Sequence, residues 1–239
     1  MVAKLSANRF RLKMLVQHLG DLSGDVVFIG GVVSELLQTT PLLPKPRATD
    51  DVDAVAAITS RGEYERFADR LRERGFREDS RDGAPVCRWV APNGVSFDVV
   101  PIDAGIFGFG NKWDTIAFET AEVERIDAEI TIRRVSAPVF LAMKFEAFAD
   151  RGGGDWFASH DVEDIVAVIA GRPEIVDEVR SAREDVREYV SLQCRSLIER
   201  DDLEDILAGA LSSSAQLYEV VDVVQNRLTT LAGSIQGNQ

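Results

Sequence analysis

The chain has few cysteines and no long apolar run. Its 2 cysteines, Cys87 and Cys194, lie far apart and form neither a disulfide framework nor a zinc motif, so we expect two ordinary thiols. No apolar run approaches the ~20 residues that a helix needs to cross a bilayer. The N-terminus also lacks the basic and apolar segments of a secretory leader. These absences predict a cytoplasmic protein without a membrane partner.

Basic residues are scarce, since 27 Lys and Arg stand against 40 Asp and Glu and give a formal net charge of −13. Phosphate contacts need Lys and Arg, so this balance excludes indiscriminate binding of nucleic acid. An RNA substrate would require a local basic patch. The charge equally suits a small-molecule acceptor or a basic protein partner.

The stretch from Val26 to Asp53 carries the first chemical signal. A short apolar run, Val26 to Ile29, ends at Gly30-Gly31, and a helical pattern follows. Glycine lets a backbone pass close to a ligand without a Cβ, and a helix start directs free N–H groups at an anion such as phosphate. An ordinary tight turn is the alternative. A proline-containing loop over residues 41–46 comes next.

Three carboxylates form the second signal. Asp51 and Asp53 are two residues apart, so on a strand they point to the same face. Asp98 lies in the apolar run Val95 to Val100, where a buried unpaired charge is costly. It either faces solvent by alternation or meets a metal. Mg²⁺, or Mn²⁺, prefers oxygen ligands and is commonly bound by one or two carboxylates together with the phosphates of a substrate. Carboxylates beside a glycine turn that can bind phosphate therefore indicate a nucleoside triphosphate site. A solvated strand start is the alternative for Asp51 and Asp53.

Periodicity predicts the surrounding elements. A helix is expected over residues 5–20, with Phe10, Met14 and Leu15 at helical spacing and Ser6 or Asn8 as its cap. Two strands joined at Pro92-Asn93-Gly94 are expected to form a hairpin.

From Ser136 onward the pattern is helical. Lys144 lies four residues from both Phe140 and Phe148, on the apolar stripe of the first of these helices. Its ammonium either reaches the surface along its aliphatic stem or points into a cleft where a triphosphate is its natural partner. Asp161 falls in the first turn of the next helix, where a carboxylate also complements the dipole.

These motifs resemble the DNA polymerase beta-like nucleotidyltransferase superfamily. Gly30-Gly31 and Arg-x-Thr-x-Asp-Val-Asp from Arg47 to Asp53 are most similar to the AbiEii/AbiGii-type nucleotidyltransferases. Several members are toxins of bacterial toxin–antitoxin pairs. Leu-Ala-x-Lys ending at Lys144 and Asp-x-x-Asp from Asp161 to Asp164 extend the similarity.

The resemblance implies a role for each residue. The implied metal ligands are Asp51, Asp53 and Asp98, and Asp98 also helps to deprotonate the attacking hydroxyl. The implied catalytic set adds Lys144 and Asp161, with Asp164 as the alternative to Asp161. The implied nucleotide-binding residues are Gly30, Gly31, Arg47, Thr49 and Lys144.

We therefore expect an α+β protein. A nucleotidyltransferase core with a mixed sheet over residues 1–135 would precede a helical domain over 136–239 that completes the active site. The expected reaction moves a nucleoside monophosphate from an NTP, such as ATP, to an acceptor hydroxyl. The toxin analogy implies an RNA or tRNA acceptor and an antitoxin partner. A protein hydroxyl, a small antibiotic such as an aminoglycoside, and nucleotide binding or protein interaction without turnover stay open as alternatives.

Overall fold

The computed structural model describes residues 6–40, 47–151, 154–211 and 217–234. The loop predicted over 41–46 lies outside the described residues. The chain divides into two compact units, residues 1–33 with 47–136 and residues 34–46 with 137–239.

The elements up to residue 136 are α1 (Ala7–Leu19), a 3-10 helix (Gly20–Gly24), β1 (Val26–Ile29), α2 (Gly31–Leu37), β2 (Asp51–Ala56), α3 (Arg61–Glu73), β3 (Arg77–Glu78), β4 (Arg88–Val90), β5 (Ser96–Pro101), a second 3-10 helix (Ala104–Ile106), α4 (Asp114–Glu119), β6 (Glu122–Arg125) and β7 (Thr131–Arg134). The division into units falls within α2.

The first unit is built on one mixed sheet. Its strands lie in the order β3-β4-β5-β2-β1-β7-β6. β2 runs parallel to β5 and β1 runs parallel to β7, while the other neighbouring pairs are antiparallel. A mixed sheet accompanied by helices confirms the predicted α+β class.

Local sequence explains the strands that matter for the site. In β5 the side chains alternate between buried and partly exposed, with Phe97 and Val99 buried on one face and Asp98 on the other. The predicted hairpin joins β4 to β5, and Gly94 supplies the positive φ of +85° that its turn requires. The polar face of the β2–β5 pair is therefore available for chemistry.

The second unit is helical. Its elements after residue 136 are α5 (Ala137–Arg151), α6 (His160–Gly171), α7 (Ile175–Ser181), α8 (Glu184–Ile198), α9 (Leu203–Ala210) and α10 (Leu217–Ala232). The backbone N–H groups of Thr39 and Thr40 donate to the Gly171 carbonyl at 2.9 and 3.1 Å, and Arg172 donates to the Leu37 carbonyl at 2.9 Å. These bonds attach the segment after α2 to this unit. None of the helices in the described residues combines the length and the apolar character that a bilayer span needs.

Candidate metal centre

Three neighbouring strands bring the predicted carboxylates and one arginine into a row: β2 and β5 carry the carboxylates, and β4 carries the arginine. In the parallel β2–β5 pair Asp53 is the register partner of Asp98, and in the antiparallel β4–β5 pair Asp98 is the register partner of Arg88. Asp51 precedes Asp53 by two residues on β2 and therefore shares its face. The register explains how residues far apart in sequence meet.

Asp51, Asp53 and Asp98 form what we call the acidic cluster. Each contributes a carboxylate oxygen, and these oxygens lie within 4.8 Å of one another. All three residues are partly exposed, so a ligand can reach them. Like charges at this spacing repel unless a cation lies among them. Oxygen donors are the ligands that Mg²⁺ prefers, and the cluster therefore fits a divalent cation.

Arg88 stands where such a cation would be expected. Its Nε donates to one oxygen of Asp98 and its terminal nitrogen to the other, both at 2.7 Å. The same terminal nitrogen donates to Asp51 at 2.7 Å. The hydrogen bonds that Arg88 donates to Asp98, together with the charges of the acidic cluster, outweigh desolvation and raise the pKa of the Arg88 guanidinium. Sequence reasoning missed this residue, because only the register of β4 with β5 places it opposite Asp98.

Gly30 is required by the carboxylate of Asp53. Its φ is +72°, a conformation that L side chains rarely adopt. A Cβ at this position would lie 1.9 Å from an Asp53 carboxylate oxygen and 2.7 Å from the carboxylate carbon. The glycine thus leaves room for a member of the acidic cluster, whereas the sequence suggested room for a ligand. Gly31 begins α2.

The Gly30→Ala variant should lose both stability and metal affinity. The new methyl group must displace the Asp53 carboxylate and occupy the left-handed region, which together cost about 2 kcal/mol or more of unfolding free energy. Urea unfolding and Mn²⁺ binding measure the two effects. Gly24→Ala is the matched control, because no atom lies within 4 Å of its added Cβ. Equal behaviour of the two variants would contradict the prediction.

The loop that precedes β2 is tied to α1. Asn8 donates from its side chain to the Arg47 carbonyl at 2.8 Å and accepts from the Thr49 N–H at 3.1 Å. The Thr49 hydroxyl donates to the Asp51 carbonyl at 3.1 Å. Arg11 also donates to the Thr49 carbonyl. Ser6 caps the helix, which leaves the buried Asn8 to fix the loop.

Lys144 belongs to a second charged group, in the helical unit. Its ammonium lies 2.6 Å from an Asp164 oxygen and 3.1 Å from an Asp161 oxygen, and Arg151 donates to the other Asp161 oxygen at 2.7 Å. Burial alone would lower the pKa of Lys144, but the charges of Asp164 and Asp161 outweigh it and raise that pKa. The side chain is therefore buried and paired, and both carboxylates of the Asp-x-x-Asp motif share it.

Asp114, at the start of α4, is a buried carboxylate that sequence reasoning did not single out. It is 2% exposed, and its Oδ2 accepts from the Asn111 N–H at 2.7 Å. Its Oδ1 has no hydrogen-bond partner among the described residues. Burial raises the pKa of Asp114 to about 6, although the Asn111 hydrogen bond acts in the opposite direction.

Asp114→Asn is expected to raise the unfolding free energy at pH 7 by about 3 kcal/mol. The folded-state pKa of about 6 lies above the ordinary Asp value, so the wild type should lose stability as pH rises from about 4 to 6. An amide cannot ionise, and the variant should lack this loss while having similar stability near pH 4. Urea titrations across this range provide the check, and parallel pH profiles for the two proteins would refute it.

Comparison with known proteins identifies the fold. No protein-family model and no curated protein matches the sequence. An antigenic nucleotidyltransferase-like protein from Paracoccidioides brasiliensis has a similar structure, with a TM-score of 0.54 and 18% identity over 87% of this chain and 93% of that one. A candidate nucleotidyltransferase from H. pylori gives a TM-score of 0.46 and 10% identity over 96% and 95% of the two chains. The first match shows that the chain has a nucleotidyltransferase-like fold.

Proposed function

We propose that the protein is a metal-dependent nucleotidyltransferase of the polymerase beta-like superfamily. It would transfer a nucleoside monophosphate from an NTP to an acceptor hydroxyl and release pyrophosphate. The observation that carries this proposal is the acidic cluster, whose three carboxylates come together on adjacent strands of a nucleotidyltransferase-like fold.

In this proposal the acidic cluster holds one or two divalent cations. When bound, such ions would activate the acceptor oxygen and neutralise charge on the pyrophosphate. The bond from the acceptor oxygen to the α-phosphorus forms as the bond from that phosphorus to the bridging oxygen breaks, and its electron pair leaves with pyrophosphate. Asp98 accepts the hydroxyl proton, directly or through water.

Other residues support the cluster. Gly30 leaves space for the Asp53 carboxylate, and Thr49, held by Asn8, fixes the backbone at Asp51. Phosphate contacts by Gly31, Arg47 and Lys144, and the part of Asp161 or Asp164 in positioning the acceptor, remain predictions of the resemblance. So do the contribution of the helical domain to the active site, the AbiEii-type family, the RNA acceptor, the antitoxin and the preference for ATP. The cytoplasmic location remains a prediction from the sequence.

The direct test is label transfer from α-phosphate-labelled NTPs. The protein is incubated with Mg²⁺ and, separately, with total RNA, with proteins from a lysate and with a panel of small alcohols that includes aminoglycosides. Label should enter one fraction and disappear in the Asp51→Ala variant. Label in RNA would support the toxin-like role, whereas label in a small alcohol would support the antibiotic-type alternative. Equal labelling by the wild type and the variant would refute the enzymatic proposal.

The contacts of Arg88 favour one rival. Because its guanidinium already neutralises part of the acidic cluster, the four residues could be a structural ion-pair network in a protein that binds partners without turnover. Such a network needs no metal. Absence of Mn²⁺ binding together with absence of label transfer would favour this rival.

A further inference from the structure

The charges around Arg88 do not balance. Asp51 and Asp98 share the single Arg88 guanidinium, so these three side chains keep a formal charge of −1. The side chain of Asp51 is 37% exposed and that of Asp98 is 13% exposed. Solvent therefore screens the charge of Asp51, whereas it screens the charge of the more buried Asp98 much less. A divalent cation would be attracted to the group even while Arg88 is in place.

The oxygens that a cation needs are the ones that Arg88 uses. Both oxygens of Asp98 accept from the guanidinium, and an oxygen of Asp51 accepts from it as well. A cation bound to these oxygens would lie beside the guanidinium, where two positive charges repel strongly in a partly buried site. The guanidinium and the cation therefore compete for Asp98.

The backbone allows the side chain to leave without moving the sheet. Arg88 is fixed by its register with Asp98 and by its N–H, which donates to the Pro85 carbonyl at 2.9 Å. Its side chain is 22% exposed and has a long flexible stem. Rotation about the side-chain torsions of Arg88 would break its hydrogen bonds to Asp51 and Asp98 and leave the backbone register unchanged.

We propose that Arg88 is a built-in counter-ion of the acidic cluster, which holds the carboxylates together in the absence of metal and is displaced when a divalent cation binds. Arg88 is thus a positioning residue that sets the metal affinity of the site. This inference rests on the metal site of the proposed function and is independent of the acceptor. It predicts that removing the guanidinium strengthens metal binding.

The test is Mn²⁺ binding, followed by electron paramagnetic resonance of the free ion. Arg88→Gln should bind Mn²⁺ about tenfold or more tightly than the wild type, because the competing charge-assisted hydrogen bonds are gone. Arg88→Lys should fall between the two. Arg81→Gln is the matched control, since it removes the same charge from an exposed side chain that pairs with Asp79. Its affinity should stay close to that of the wild type.

Two results of the Mn²⁺ measurement would overturn the inference, and they differ in scope. Binding to Arg88→Gln that is unchanged or weaker, with clear binding to the wild type, would refute the counter-ion while leaving the metal site standing. Binding to neither protein would refute both. If Arg88→Gln does not fold, wild-type protein provides a second readout by ¹⁵N NMR. The Arg88 Nε–H signal, assigned with Arg88→Lys, should shift and exchange faster with solvent at saturating Mg²⁺. An unaltered signal would also overturn the proposal.

Discussion

Replacing Asp53 with asparagine is expected to lower the rate of nucleotidyl transfer by about 10³-fold or more. The carboxylate lies in register with Asp98, and one of its oxygens lies within 4.8 Å of an oxygen of each other member of the acidic cluster. An amide keeps the size but loses the charge that holds a divalent cation. Loss of metal-based charge stabilisation is worth several kcal/mol, and each 1.4 kcal/mol or so corresponds to a factor of ten in rate. Label transfer at saturating Mg²⁺ and NTP measures the change.

The control must separate loss of charge in the site from loss of charge in general. Asp69→Asn serves this purpose, because Asp69 lies on α3 of the same unit, is exposed and pairs only with Arg72 among the contacts described. It should leave the transfer rate within about twofold of the wild type, since exposed pairs contribute little. Circular dichroism should show that both variants are folded. A comparable loss in both, or activity retained by Asp53→Asn, would contradict a metal centre at Asp53.

Short-range patterns in the sequence predict the acidic half of this site well. A spacing of two residues on a strand places Asp51 and Asp53 on one face whatever the rest of the chain does. Alternation in β5, with Phe97 and Val99 inward, likewise fixes the face of Asp98. The hairpin turn at Gly94 is equally local, because its backbone needs a positive φ. These features depend on neighbours in sequence and can be inferred without knowing the fold.

The pairing of strands that are distant in sequence is harder to predict. The order of the strands, with β1 between β2 and β7, depends on contacts that no local pattern encodes. Arg88 looks like an ordinary strand residue until the register places it opposite Asp98. The role of Gly30 likewise becomes clear only when β1 and β2 are paired, because the carboxylate for which it leaves room belongs to Asp53.

In the first helix the element was predicted correctly, but one of the side chains assigned to its buried face was not. The helix predicted over residues 5–20 is present as Ala7–Leu19. Phe10, which the spacing placed with the apolar face, is 57% exposed, and that prediction is wrong. Leu15 is buried as the spacing predicted, and the buried face also contains Leu12, Leu19 and the polar Asn8. Asn8 is inside because its amide satisfies the backbone of the loop before Asp51, a gain that hydrophobic periodicity cannot reveal.

Lys144→Met is the substitution expected to cost most in stability, about 3–5 kcal/mol of unfolding free energy. Lys144 is 9% exposed, and its ammonium is the partner of buried Asp161 and Asp164. Methionine fills a similar volume but leaves two carboxylates in a region of low dielectric. Arg151 compensates only Asp161, and its own side chain is 71% exposed. Urea unfolding followed by far-ultraviolet circular dichroism gives the measurement.

Two further variants show whether the effect comes from an uncompensated charge and whether the Lys144–Asp164 pair also takes part in nucleotidyl transfer. Lys112→Met makes the same exchange at an exposed site and should change the unfolding free energy by less than about 0.5 kcal/mol. Lys144→Met combined with Asp164→Leu should recover most of the loss, because an apolar pair replaces a broken ion pair while Arg151 still serves Asp161. A loss below about 1 kcal/mol in the single variant would contradict the buried pair. If the recovered double variant no longer transfers label, a functional role of the Lys144–Asp164 pair gains support, whereas full activity would show that this pair acts only within the helical unit.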